Sequence, residues 1–152
     1  MVVGVGTGFR HDDGLGPAVA ASIDDLHLPG VEVATCPGEP TQLLDLWRGA
    51  DVAIVVDAVA RAVAHPGRIQ RVEAEMLEGV VSATSSHAFG VAEAVRLGRA
   101  LGALPDALVV FAVDADRLDL GIGLSGAVAS AVPRTVAAVV EELERSRSPA
   151  DR

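Results

Sequence analysis

The apolar positions of this chain fall into two patterns, short continuous runs and stripes at helical spacing. Met1 to Val5 is an apolar run that predicts a buried first strand. Leu15 to Leu26 carries a helical pattern that stops at the Leu28-Pro29-Gly30 turn. Val31 to Thr35 alternates as a second strand. Thr41 through Trp47 reads as a short helix capped by Thr41, with Leu43, Leu44 and Leu46 as its apolar side. Val52 to Val56 is a β-branched run ending in Asp57, the pattern of a strand covered on both faces. After Pro66-Gly67, Arg68 to Val72 alternates polar and apolar, which predicts an exposed or edge strand, antiparallel to the rest.

The second half repeats the alternation. Ser85 or Ser86 can cap a helix from His87 to Leu101, with Val91, Ala94, Val95 and Leu101 on one stripe. Ala107 to Val113 reads as another buried strand. Ser125 then caps a long helix whose core face is Val128, Val132, Val136, Val139, Val140 and Leu143, with Pro133 as a kink. Strands alternating with helices predict a three-layer α/β/α sandwich, flavodoxin- or Rossmann-like, with a mostly parallel twisted sheet and one antiparallel strand. The 152 residues suffice for one domain, 1–145, followed by a polar, frayed C-terminal tail, 146–152.

Composition narrows the function. Three Phe, one Trp and no Tyr leave little to stack on bases, and the net charge of −9 opposes nucleic acid and anionic membrane surfaces. A single cysteine, Cys36, excludes an internal disulfide and cysteine-rich zinc sites, and its expected role is a small buried residue. No apolar stretch is of bilayer length and none resembles a signal segment, so the expectation is a cytoplasmic protein. All twelve basic residues are Arg, which excludes any mechanism that needs a catalytic lysine.

The candidate chemistry starts in Gly4-Val5-Gly6-Thr7-Gly8-Phe9-Arg10-His11-Asp12-Asp13-Gly14-Leu15-Gly16. A phosphate loop would offer N–H donors there; two carboxylates offer acceptors and negative charge. Helix capping is the default reading of such a pair. Asp57 and His87 alter it. In doubly wound sheets functional groups gather beyond the carboxyl ends of the strands, and if strand 1 neighbours strand 3, the loop with Asp12 and Asp13 converges with Asp57 and His87 at one edge. Each also has a plain role: Asp57 as a turn cap, His87 as a first-turn helix residue. Together, two carboxylates and an imidazole form an N/O ligand set for a divalent ion such as zinc or nickel. His11 can assist such a site, Glu39 is peripheral, and His27 and His65 fall in turns. There is no HExxH and no GxSxG elbow. A phosphoacceptor receiver domain shares the acid pair and the strand-3 Asp, but it needs a lysine. A non-catalytic metal- or nucleotide-binding module is a further alternative.

Five segments in order resemble the [NiFe]-hydrogenase maturation endopeptidases: Gly4 to Gly16, Gly38 with Leu43-Leu44-Asp45-Leu46, Val55-Val56-Asp57-Ala58-Val59, Ser85-Ser86-His87-Ala88-Phe89-Gly90 and Gly121-Ile122-Gly123-Leu124-Ser125. Thr7 stands where that family usually has Asn, and Asp13 stands for Glu, a variation the family also shows. The resemblance implies an endopeptidase that removes the C-terminal peptide of a nickel-loaded hydrogenase large-subunit precursor. It implies Asp13, Asp57 and His87 as the residues that contact the metal, which arrives with the substrate, so that no cofactor is resident. Asp12 stays open between a general base and a cap.

Overall fold

A computed structural model describes residues 1–77 and 86–147, with the side chains of residues 86–89 left out. Five strands form one sheet in the order β2-β1-β3-β5-β4, from β1 (Val2–Val5), β2 (Val33–Cys36), β3 (Val52–Val59), β4 (Ile69–Glu73) and β5 (Ala107–Asp114). All neighbours are parallel except β4, which runs antiparallel to β5 at the sheet edge. This is the expected mostly parallel α/β architecture, and β1 does lie beside β3. Helices α1 (Leu15–Asp25) and α4 (Gly126–Arg147) cover one face; α2 (Pro40–Trp47) and α3 (Ser86–Leu101) cover the other.

The apolar runs explain this division. Along β3, Ala53 and Val55 face α2 and α3, while Ile54, Val56 and Ala58 face α1 and α4. A strand buried on both sides must be apolar at nearly every position. Trp47, Leu43 and Val95 fill the first layer; Leu15, Ile23 and Val139 fill the second.

Two glycines let α1 lie directly on β1. A Cβ on Gly4 would stand 2.2 Å from the Gly16 carbonyl oxygen, and one on Gly16 would stand 2.2 Å from that of Val5. Any side chain at either position would lift the helix, and with it the acid-bearing turn that precedes it.

Several local expectations need correction. Asp57 does not end its strand: β3 continues to Val59, because β5 stays paired with it through Asp114. The cap of α2 is Glu39, whose carboxylate accepts from the Gln42 N–H at 3.1 Å and from the Thr41 hydroxyl; Thr41 falls inside the helix, behind Pro40. The second strand is Val33–Cys36, two residues later than its alternation suggests; the Val31 N–H bonds back to Leu28 in the turn out of α1, while the Glu32 carbonyl already accepts from the Val2 N–H of β1. Leu101 is exposed at the end of α3. The last helix runs through Arg147, past the start of the expected tail, because Ser146 bonds back to the Glu142 carbonyl at 2.8 Å. Ser85 lies outside the described residues.

Candidate active site

The loop after β1 folds into a single 3-10 turn, His11–Gly14, between strand and helix. Gly6 makes the turn possible: its φ is +131°, and a Cβ there would lie 2.0 Å from the Asp13 carbonyl oxygen. The Thr7 N–H donates to Asp13 Oδ2 at 2.8 Å, and the Thr7 hydroxyl accepts from the Phe9 N–H at 3.2 Å. Threonine therefore supports this loop from within. The Cys36 carbonyl accepts from the Gly6 N–H at 2.9 Å, and Cys36 itself is buried, as expected.

Asp12 and Asp57 have opposite surroundings. Asp12 Oδ2 accepts from the Asp116 N–H (2.8 Å), the Arg117 N–H (2.8 Å) and the Ser125 hydroxyl (2.9 Å), and Oδ1 accepts from the Ser125 N–H (2.7 Å). Burial opposes ionisation of this group, but the N–H groups of Arg117, Ser125 and Asp116 and the Ser125 hydroxyl outweigh it and hold the carboxyl below its usual range. Asp12 ties the β1–α1 loop to the β5–α4 loop. Ser125, expected as a helix cap, spends its hydroxyl on Asp12.

Asp57 is held differently. It pairs in register with Ala112 in the interior of the sheet and, by alternation with Val55, points to the α2/α3 face. It is fully buried, and neither carboxylate oxygen has a hydrogen-bond partner of normal geometry among the described residues. Burial pushes its carboxyl well above the ordinary value and the Asp13 carboxylate pushes it further, with the Ala58 N–H pulling the other way. That rules out the turn-capping role for Asp57. A buried acid so poorly partnered is costly by about 1–3 kcal/mol.

His87 is the second residue of α3, the helix that packs on the face to which Asp57 points. Gly90, one turn on, touches the loop before α2: a Cβ there would stand 2.1 Å from the Gly38 carbonyl oxygen. The His87 side chain lies outside the described residues. Among those described, no group of three or more His, Cys, Asp and Glu is placed to hold a metal ion. Asp13 and Asp57 are the two carboxylates brought together.

His11 is half-buried with a φ of +45°, and its Nδ1 stands 3.0 Å from the Gly123 carbonyl, so that nitrogen carries the proton. It braces the loop. Glu39 is occupied at the cap of α2, while His27 and His65 are exposed turn residues. Two buried acids, Asp114 and Glu142, are not singled out in the sequence reading, and Asp114 lies at the end of β5. Its carboxylate accepts from Arg61 Nε at 2.6 Å and from the His65 N–H at 3.1 Å, with Arg68 Nε at 3.8 Å. The signal for Asp114 was the one that singled out Asp57, an Asp closing an apolar run, here Leu108 to Val113.

Solved structures share this fold. The hydrogenase maturating endopeptidase HybD from E. coli superposes with a TM-score of 0.80 at 22% identity, over 95% of this chain and 91% of that one. An endopeptidase from Escherichia coli known in solution gives a TM-score of 0.80 at 21% identity, over 95% and 93%. The [NiFe] hydrogenase maturation protease HybD from Thermococcus kodakarensis gives 0.73 at 20% identity, over 93% and 96%. No curated protein sequence matches significantly. At these identities the superpositions speak for the fold; the family is carried by the sequence. The family model described as hydrogenase maturation protease (HycI) matches residues 20–142, which include Asp57 and His87. The receiver and non-catalytic readings thereby fall away, and the chain belongs to the hydrogenase maturation proteases, a family of peptidases.

Proposed function

We propose that this protein is the endopeptidase that trims the C-terminal peptide from a nickel-loaded [NiFe]-hydrogenase large-subunit precursor, and that it reads the nickel through Asp13, Asp57 and His87. The observation that carries this reading is Asp57, a buried carboxylate with no hydrogen-bond partner of normal geometry among the described residues, beside a second carboxylate. A divalent ion brought by the precursor would relieve the repulsion between Asp13 and Asp57 and supply the missing partner. Nickel is then part of the substrate, and the protein needs no resident cofactor.

Specificity follows from differential binding, because the nickel-free precursor leaves both acids unrelieved. Metal contact positions the scissile peptide next to the carboxylates. A water adds to the carbonyl carbon and gives up a proton, the C–N bond breaks, and the leaving amine takes a proton. Asp12 is unsuited to be the base: four donors occupy it and hold its proton affinity low. Nor does it cap α1, which has no side-chain cap; its role is to fasten the β1–α1 loop to the β5–α4 loop. Among the described residues no helix is long and apolar enough to cross a membrane, which fits our reading of a cytoplasmic protease.

The test compares nickel-loaded with nickel-free precursor and follows C-terminal trimming by mass spectrometry. The expected result is trimming of the loaded form alone, abolished in His87→Ala. Equal trimming of both forms would overturn nickel sensing, full activity in His87→Ala would remove that residue, and no trimming of either would overturn the function.

A further inference from the structure

Three large apolar side chains stand in solvent around the loops that carry the acids: Phe9 is 72% exposed, Leu120 81% and Ile122 82%. Phe9 belongs to the β1–α1 loop, four residues before Asp13; Leu120 and Ile122 belong to the β5–α4 loop. They are far apart in sequence, yet the backbone joins them. The Gly121 N–H donates to the Phe9 carbonyl at 2.9 Å and the His11 N–H donates to the Gly121 carbonyl at 3.0 Å, a parallel bridge between Arg10 and Gly121. In such a bridge Phe9 and Leu120 are lateral neighbours, and Ile122 follows Gly121 directly.

The platform is stiff as well as apolar. Asp12 grips Asp116, Arg117 and Ser125 on either side of Leu120 and Ile122, and His11 bonds to Gly123. Gly121 has a φ of +153°, and a Cβ there would collide with the His11 ring. Flexible loops tolerate stray apolar residues; here three are held out by fixed backbone, which marks a contact surface.

The geometry points to a docking ridge, Phe9, Leu120 and Ile122, that grips an apolar segment of the precursor next to the bond being cut. This rests on the protease reading above. Phe9 and Asp13 share one loop, and the Arg10–Gly121 bridge sets Leu120 and Ile122 beside that loop. The size of the ridge also selects the occupant. Three side chains this exposed offer on the order of 400 Å², about half of the roughly 800 Å² per partner in a stable interface between folded proteins. That suits a peptide segment and is too little for self-association. Apolar anchors also suit a precursor segment irrespective of the charge of −9 on this chain.

The experiment uses the double variant Leu120→Ser/Ile122→Ser, and separately Phe9→Ser, with Leu101→Ser as an exposed apolar control at the far end of α3. Trimming of nickel-loaded precursor is followed as KM and kcat, and binding of nickel-free precursor by calorimetry. The expected result is an increase of about tenfold or more in KM with kcat within about twofold, a parallel loss of binding, and no change in the control. Unchanged KM and binding would overturn the ridge. So would a wild-type dimer in sedimentation that the double variant dissociates. If the wild type trims nothing, the protease reading fails, and precursor binding lost in the double variant alone still supports the ridge.

Discussion

Asp12 and Asp57 carry the same side chain and do different work because of what surrounds their oxygens. Asp12 faces four donors and stabilises the loops. Asp57, in strand β3, has no partner of normal geometry among the described residues and is kept at a cost. A residue retained at the expense of stability marks function more reliably than one that is comfortable. Asp57→Asn keeps the shape and removes the charge that burial and Asp13 oppose. We expect it to raise stability by about 1 kcal/mol while abolishing trimming of nickel-loaded precursor. Urea unfolding and the trimming assay check the two halves; a destabilised variant would show that Asp57 has a partner that supports the fold.

At the scale of elements, the site depends on how helices and edge strands are fastened. Glycines press α1 onto β1 and α3 onto the Gly38 loop. The antiparallel edge strand β4 is clamped to α4 by a two-point pair, Arg71 Nε to Glu142 Oε2 at 2.8 Å and Arg71 Nη2 to Glu142 Oε1 at 2.9 Å. The Arg71 guanidinium, against the opposing effect of burial, holds the Glu142 carboxyl below its usual value. A lowered acid contributes stability above its unfolded pKa, and that contribution is lost as pH falls through the folded value. Glu142→Gln is therefore expected to cost about 1–2 kcal/mol near neutral pH, discounted because Arg71 is partly exposed. The gap to the wild type should close below about pH 4. Chemical denaturation across that range measures it, and a gap independent of pH would mean that the clamp contributes packing rather than charge.

For the whole molecule, the order β2-β1-β3-β5-β4 brings the β1 and β3 acids to one edge, and the packing of α3 sets the helix of His87 above the same face. If the metal belongs to the substrate, the protease is complete without one. Treatment with a chelator, followed by its removal, is expected to leave both the melting temperature and the trimming of nickel-loaded precursor unchanged. A loss restored by added metal would place a resident ion in the protein.

The hydrophobic pattern alone determined the alternation of strands and helices, the antiparallel edge strand and the α/β class, because burial on one face, both faces or neither leaves a periodicity in the residues themselves. Asp57 stood out as a polar group closing an apolar run, the pair Asp12-Asp13 as carboxylates in a glycine-rich loop and His87 as the opening of the next long helix, while the family resemblance chose Asp13 from the pair. The pattern misjudged boundaries, ending β3 at Asp57 and assigning the α2 cap to Thr41, because strand length is decided by the partner strand and hydroxyls bond to whatever lies near. Only the tertiary structure separated Asp12 from Asp57. Hydrogen-bond donors reach Asp12 from Asp116, Arg117 and Ser125, about a hundred residues away, and no local pattern records their approach. The ridge of Phe9, Leu120 and Ile122 exists for the same reason, as two loops that only the folded backbone brings side by side.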